Sequence, residues 1–127
     1  MNDKRKKGDA GEEFVCEYLK DKGYIIAARN YKTRTGEIDI IAESRTTLIF
    51  VEVKSRKSGR AYLPREAVDL IKQQKIASAA GEYVARKQSD LALRFDVAEV
   101  IFFGDNEDSM EINYIENAFS PEDMFWV

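Results

Sequence analysis

Two apolar segments joined by four polar residues constrain this chain more than any other feature. Glu37 to Ala42 and Thr47 to Ser55 each read as a β-strand, and Glu43-Ser44-Arg45-Thr46 between them reads as a hairpin turn. Within each strand, charged residues stand two apart: Glu37 and Asp39 in the first, Glu52 and Lys54 in the second. A strand sends alternate side chains to opposite faces. The expectation is therefore that Glu37 and Asp39 share one face, and Glu52 and Lys54 share one face. Charges on otherwise apolar strands are costly to bury, and folding alone does not call for them.

A tight antiparallel hairpin through Arg45-Thr46 sets Ile41 opposite Phe50, Asp39 opposite Glu52 and Glu37 opposite Lys54. Opposed residues lie on the same face, with Cβ atoms about 4.5–5.5 Å apart. Three carboxylates and a lysine then form one patch, with Glu37 as the partner of Lys54. Carboxylates directly opposite each other repel. Lys54 can neutralise them as a structural ion pair, or a divalent cation can sit between them. The second reading is favoured because the set also supplies what phosphodiester cleavage needs. Asp39 and Glu52 are hard oxygen ligands for Mg²⁺, a metal polarises a phosphoryl oxygen and acidifies a bound water, and Lys54 can offset developing charge.

The remaining pattern places these strands in an α/β domain. A helix is expected over about Asp9 to Lys22, where Phe14, Val15, Tyr18 and Leu19 recur at helical spacing before Gly23. Cys16 falls near this stripe and reads as packing. Tyr24 to Arg29 reads as the first strand. Arg56 to Arg60 is a basic, glycine-containing loop, and Pro64 precedes a long helix expected over about Arg65 to Lys87. Its buried side is expected to hold Ala67, Leu70, Ile71, Ile76, Ala79, Ala80 and Tyr83. Leu91 to Phe103 contains a fourth strand, Glu111 to Ile115 a fifth, and Pro121 to Val127 a short turn or helical end. The long helix is sufficient for a parallel crossover. The fold expected is a mixed β-sheet of four to five strands flanked by helices, in the order α-β-β-β-α-β.

Composition narrows the chemistry. The chain of 127 residues fits one domain. It has no histidine, which excludes the usual Ser-His-Asp, Cys-His and histidine-zinc sites, and one cysteine cannot build a thiolate site. A metal would be held by oxygen, which selects Mg²⁺, Mn²⁺ or Ca²⁺. The single cysteine, the polar first residues and the lack of a long apolar run lead to the expectation of a cytoplasmic protein without a membrane segment. Net charge is −3, but seven acids and no base lie between Gly104 and Val127, leaving 20 bases against 16 acids over residues 1–103. One domain is expected over 1–127, with a basic tail at 1–7 and an acidic extension at 104–127. The mildly basic remainder is compatible with a phosphate-binding face.

An acidic residue in one strand followed by Glu-x-Lys in the next resembles the PD-(D/E)XK nuclease superfamily, whose core is restriction-endonuclease-like. A longer set of segments is similar to the YraN-like family within it, a group of small bacterial proteins related to archaeal Holliday-junction resolvases. These are Gly11-Glu12, Arg29-Asn30-Tyr31, Gly36-Glu37-Ile38-Asp39-Ile40-Ile41-Ala42, Phe50-Val51-Glu52-Val53-Lys54, Ala67-Val68-Asp69 and Arg94-Phe95-Asp96-Val97. The resemblance spans about residues 8–101. It implies that Asp39 is the metal-binding aspartate, that Glu52 and Lys54 are the Glu-x-Lys pair, and that Glu12 is a further acidic ligand. Glu13 is a rival for that last role, about 100° around the helix. The proline that often precedes the aspartate in the superfamily is absent here, as in its resolvase-like branch.

Arg34, Arg56, Lys57, Arg60, Lys72 and Lys75 are candidates for contacts to a nucleic-acid backbone, a solvated surface being the ordinary alternative for lysines. The function expected is Mg²⁺- or Mn²⁺-dependent endonucleolytic hydrolysis of DNA. Branched or structured DNA as the substrate is implied by the resemblance alone. A homodimer would suit a two-fold junction. The competing readings are a nucleic-acid-binding protein without turnover and an interaction subunit in which the carboxylate patch is an ion-pair network.

Overall fold

A computed structural model of the chain describes residues 3–59, 68–105 and 108–120, with backbone alone over 3–7. The elements are α1 (Asp3–Asp21), β1 (Ile25–Lys32), β2 (Glu37–Glu43), β3 (Thr47–Lys57), α2 (Leu70–Lys87), β4 (Ala92–Phe103) and β5 (Ser109–Phe119). One five-stranded sheet has the order β1-β2-β3-β4-β5. Only the β3–β4 pair is parallel, and α2 makes the crossover between them. This is the mixed α/β arrangement of a restriction-endonuclease-like core, with a helix on each face of the sheet. Among the described residues, no helix is long and apolar enough to cross a membrane.

Each helix covers one apolar layer. Val15, Cys16 and Leu19 of α1 pack with Ile40, Ala42, Ile49, Val51, Ala98 and Val100. Ile76, Ala79, Ala80 and Tyr83 of α2 pack with Ile38, Ile41, Leu48, Phe50, Phe95 and Val97. The central strands are buried on both faces, which is why β3 and β4 read as nearly continuous hydrophobic runs. The expected turn at Glu43–Thr46 is present, with Ser44 N–H donating to the Thr47 carbonyl at 2.9 Å. It sets the expected register, Ile41 opposite Phe50.

Several boundaries differ from expectation. α1 starts at Asp3 rather than near Asp9, since lysine and arginine are good helix formers. β1 runs on to Lys32, and β5 reaches from Ser109 to Phe119. The latter enters the acidic segment because Met110, Ile112 and Tyr114 turn toward the α1 layer. α2 begins at Leu70, where the Asp69 carboxylate caps it by accepting from Lys72 N–H. Leu70 and Ile71, expected on the buried side, are 58% and 65% exposed. At 100° per residue they lie about 120–140° around the helix from Ile76, outside the stripe that faces the sheet. Arg60, Pro64, Ala67, the helix start expected at Arg65 and the segment Pro121 to Val127 lie outside the described residues.

A buried carboxylate joins β4 to the edge strand. Asp96 is fully buried and accepts from Arg94 Nε and Nη2 at 2.9 and 2.8 Å, Tyr114 Oη–H at 2.6 Å and Asn117 N–H at 2.9 Å. It sits where the β4–β5 register shifts between Phe95 and Val97 and where Asn117 is left-handed, at φ 52°. Its side chain satisfies a backbone donor that the irregular ladder leaves over. Removing one partner of a buried ion pair costs roughly 3–5 kcal/mol. Asp96→Ala is expected to destabilise the protein by about that much, read by urea denaturation; a change within about 0.5 kcal/mol would show the network to be marginal.

Candidate metal and phosphate site

The site forms where two strands break their alternation. In a regular strand, residues two apart share a face. Here Ile38 packs in the α2 layer while Ile40 packs in the α1 layer. Opposite them on β1, Tyr31 packs in the α2 layer, whereas Arg29 reaches Glu12 and Glu13 of α1. Between these pairs stand Asn30, left-handed at φ 50°, and Asp39. The kink at this point turns both strands through the sheet plane.

Asp39 leaves the ladder at the kink. The β2–β3 pairing reaches as far as Ile40 and Val51. Beyond it, Asp39 Oδ2 accepts Val53 N–H at 2.8 Å. The side chain thus takes the place of a backbone acceptor, and the two strands part around it. This corrects the expected patch: the face change separates Glu37 from Asp39. Glu37 is exposed on β2, and among the described residues the acid within ion-pair reach of Lys54 is Glu52, with Nζ 3.8 Å from Oε2.

Glu52 carries the strongest electrostatic perturbation among the acids of the site. It is 4% exposed on β3. Its carboxyl is pushed up to about 8, first by burial, then by the hydrogen bond it shares with Asp39 and by the Asp39 charge. Lys72 and Lys54 oppose the rise. Lys72 reaches in from α2, with Nζ 3.4 Å from Glu52 Oε2. The sequence placed Lys72 among the phosphate candidates; the fold places it against this carboxylate.

α1 brings Glu12 to the same region. Gly11 lets the helix approach β3 and β4, where a Cβ would stand 2.7 Å from Ser55 Oγ and 3.7 Å from Val100. Glu12 is raised by burial first and then by the Asp39 charge, while Asn30 and Arg29 lower it. Its Oε1 is buried without a hydrogen bond, the Arg29 guanidinium standing 3.7 Å away. Glu13 faces outward, paired with Arg29 at 2.9 Å.

The remaining cations fall into two groups. Arg34 is exposed in the β1–β2 turn, which docks on α2 through Thr35 Oγ1 and Ser78 Oγ at 2.9 Å. Gly36 closes that turn against Lys75, where a Cβ would stand 2.6 Å from the Lys75 carbonyl oxygen. Arg34, Lys72 and Lys75 therefore belong to one edge of the molecule. Arg56 and Lys57 lie at the end of β3, and Arg56 Nε donates to the buried Glu99 at 2.8 Å. Glu99 did not stand out in the sequence, although an acid inside the apolar run Val97-Ala98-Glu99-Val100-Ile101 carries the same signal that marked Glu52. Two open depressions of about 420 and 320 Å³ lie along β1 and the C-terminal half of α2, and no site carboxylate lines them.

The donor chemistry fits a hard cation. Among the described residues, no three acidic, histidine or cysteine side chains form a ready metal-binding group. Mg²⁺, however, is commonly bound through one or two carboxylates, retained waters and substrate phosphate. Asp39 and Glu52 supply two carboxylates held against their mutual repulsion, and Glu12 supplies a buried oxygen without a hydrogen bond beside Asp39.

The profile of the uncharacterised protein family UPF0102 matches residues 11–100. A UPF0102 protein of Alkaliphilus metalliredigens is 46% identical over 113 residues, covering 88% of this chain and 96% of that protein. Others are 47% identical over 116 residues in Clostridium acetobutylicum, covering 91% and 94%, and 44% identical over 117 residues in Caldicellulosiruptor saccharolyticus, covering 91% and 98%.

The raised Glu52 makes stability depend on pH in a definite direction. Its value is about 8 in the folded state against 4.5 for a free carboxyl. Between those values the folded protein holds more protons than the unfolded chain, so stability falls as pH rises through the window. Without divalent ions, Glu52→Gln is expected to flatten that fall. It should also raise stability at pH 8 by roughly 1–3 kcal/mol, the scale of an imperfectly compensated buried polar group. Denaturant titrations at pH 5 and pH 8 check this, and a parent protein that gains stability toward pH 8 would contradict it.

Proposed function

The chain belongs to the uncharacterised protein family UPF0102, and for this member we propose a divalent-metal-dependent endonuclease that hydrolyses phosphodiester bonds in DNA, branched or structured DNA in particular. The observation that carries the reading is the pairing of Asp39 with Glu52. The Asp39 charge acts on Glu52 at the end of a ladder, and Glu52 is nearly inaccessible, with a lysine from β3 and another from α2 within ion-pair reach of it. As a purely structural arrangement it is poor, since each ammonium stands 3.4 Å or more from Glu52 and like charges crowd one another.

Asp39 and Glu52 would hold Mg²⁺ or Mn²⁺, with Glu12 in support. When bound, such an ion polarises a phosphoryl oxygen and acidifies a water. The protein's own groups account for the rest. Val53 N–H fixes Asp39 Oδ2 and leaves the carboxylate one orientation. Lys54, 30% exposed at its side chain, lies one pleat beyond Glu52 and faces the space that an anionic substrate would enter. There it offsets charge that develops on the phosphoryl oxygens. Lys72, 3.4 Å from Glu52 Oε2, would be available to the phosphate backbone if a bound cation compensated Glu52 in its place. Arg34 and Lys75 continue the cationic edge on the same side of α2.

Asp39→Asn and Lys54→Ala are each expected to lower cleavage by roughly 10²–10³-fold, the range for loss of one preorganised electrostatic group. Both should keep the parent circular dichroism. The measurement is a cleavage panel of single-stranded, duplex, flap and four-way DNA in Mn²⁺. Full activity in either variant, on a substrate that the parent cuts, refutes the assignment. Salt-sensitive binding of these DNAs with no product at any Mn²⁺ concentration would instead establish binding without turnover.

A further inference from the structure

A second buried acid lies on the face that carries Glu52 and Lys54. Along β3, Glu52, Lys54 and Arg56 alternate onto one face. Along β4, Val97 and Glu99 alternate onto the same face, and the parallel register sets Glu52 beside Val97 and Lys54 beside Glu99. Glu99 is 1% exposed, and its Oε2 accepts from Arg56 Nε at 2.8 Å. Arg56 Nη1 also donates to the Lys57 carbonyl at 3.3 Å. The guanidinium is thus held at Nε and Nη1 at least, while its side chain keeps 17% of its surface open.

Stability alone gives little reason for this pair. A well-packed apolar replacement of a buried ion pair is often neutral or stabilising. Asp96 is the contrast within the same strand: it joins β4 to β5 and satisfies a backbone N–H. Among the described residues, Glu99 bonds a single arginine next to the candidate site. An arginine fork presented rigidly is suited to a phosphate, whereas a freely rotating one loses conformational entropy on binding.

We infer that Glu99 is a positioning residue: from the adjoining strand it fixes Arg56 as the phosphate-contacting arm beside Lys54. The inference rests on the nucleic-acid reading of the site. It predicts an outcome opposite to that of charge counting. Removing an acid makes the face more basic and on that ground alone tightens DNA binding; loss of a positioned arginine weakens it.

The test is a cycle of Arg56→Met, Glu99→Leu and the double variant, using the dissociation constant for duplex DNA without divalent ions and Mn²⁺ affinity by calorimetry. Each single variant is expected to weaken DNA binding, the double variant to match Arg56→Met alone, and Mn²⁺ affinity to stay at the parent value. Unchanged or tighter DNA binding by Glu99→Leu overturns the inference. So do losses that multiply in the double variant, or a loss of Mn²⁺ binding, which would make Glu99 a ligand. If Glu99→Leu does not fold, Glu99→Gln takes its place. If the parent binds no DNA at low salt, the nucleic-acid reading fails, and the Arg56 Nε–H resonance decides the positioning separately. Slow exchange with water in the parent and fast exchange in Glu99→Gln supports it, and equal exchange in both overturns it.

Discussion

The candidate site depends on one exchange of partners: Asp39 leaves the sheet ladder and its carboxylate accepts Val53 N–H. A backbone donor must be satisfied, and a side chain does it here where the neighbouring strand no longer can. The left-handed Asn30 across the β1–β2 pair makes the exchange possible by turning both strands through the sheet plane. Without the kink, Ile38 and Ile40 would compete for one layer. With it, each strand feeds both layers, and Asp39 lies between Glu12 of α1 and Glu52 of β3.

Among the described residues three acids are buried in the sheet, and their environments differ in a way that separates structure from chemistry. Asp96 is surrounded by donors at 2.6–2.9 Å and bridges two strands. Glu99 has one short bond to a partly open arginine. Glu52 has two ammonium groups at 3.4 and 3.8 Å and another carboxylate against it. Compensation thus becomes less complete from Asp96 to Glu52. Burial without full compensation is where proteins keep groups that must accept a new partner. Tight glycine contacts hold the frame around Glu52, with α1 close over Gly11 and the β1–β2 turn closed on α2 at Gly36.

Much of this was legible in the chain. Apolar runs, a four-residue polar turn and a long helix before the fourth strand gave element types, the β2–β3 register and the parallel crossover, because these follow from period and loop length. The Glu52-Lys54 pair stood out as charge on an apolar strand. Asp96 and Glu99 gave the same signal inside the fourth strand, and weighing every acid in an apolar run would have found them. Leu70 and Ile71 misled because their apolar type was weighed without their angle: at 100° per residue they stand outside the stripe that Ile76, Ala79, Ala80 and Tyr83 form.

The sequence by itself determined the α/β order, the layers that the strands fill and the residue types at the site, all oxygen donors and cations in a chain without histidine. These are local properties, fixed by periodicity and composition. Tertiary structure alone decided that Glu37 and Asp39 part company, that Glu12 turns inward while Glu13 pairs with Arg29 at the surface, and that Lys72 and Arg56 are each drawn to a buried acid. For Glu37 and Asp39 the physical reason lies in the backbone. Alternation along a strand holds only while the backbone stays regular. With a left-handed residue opposite Asp39 the first two strands change face there, whereas Glu12, Lys72 and Arg56 meet their partners only once α1, α2 and β4 are packed against β2 and β3.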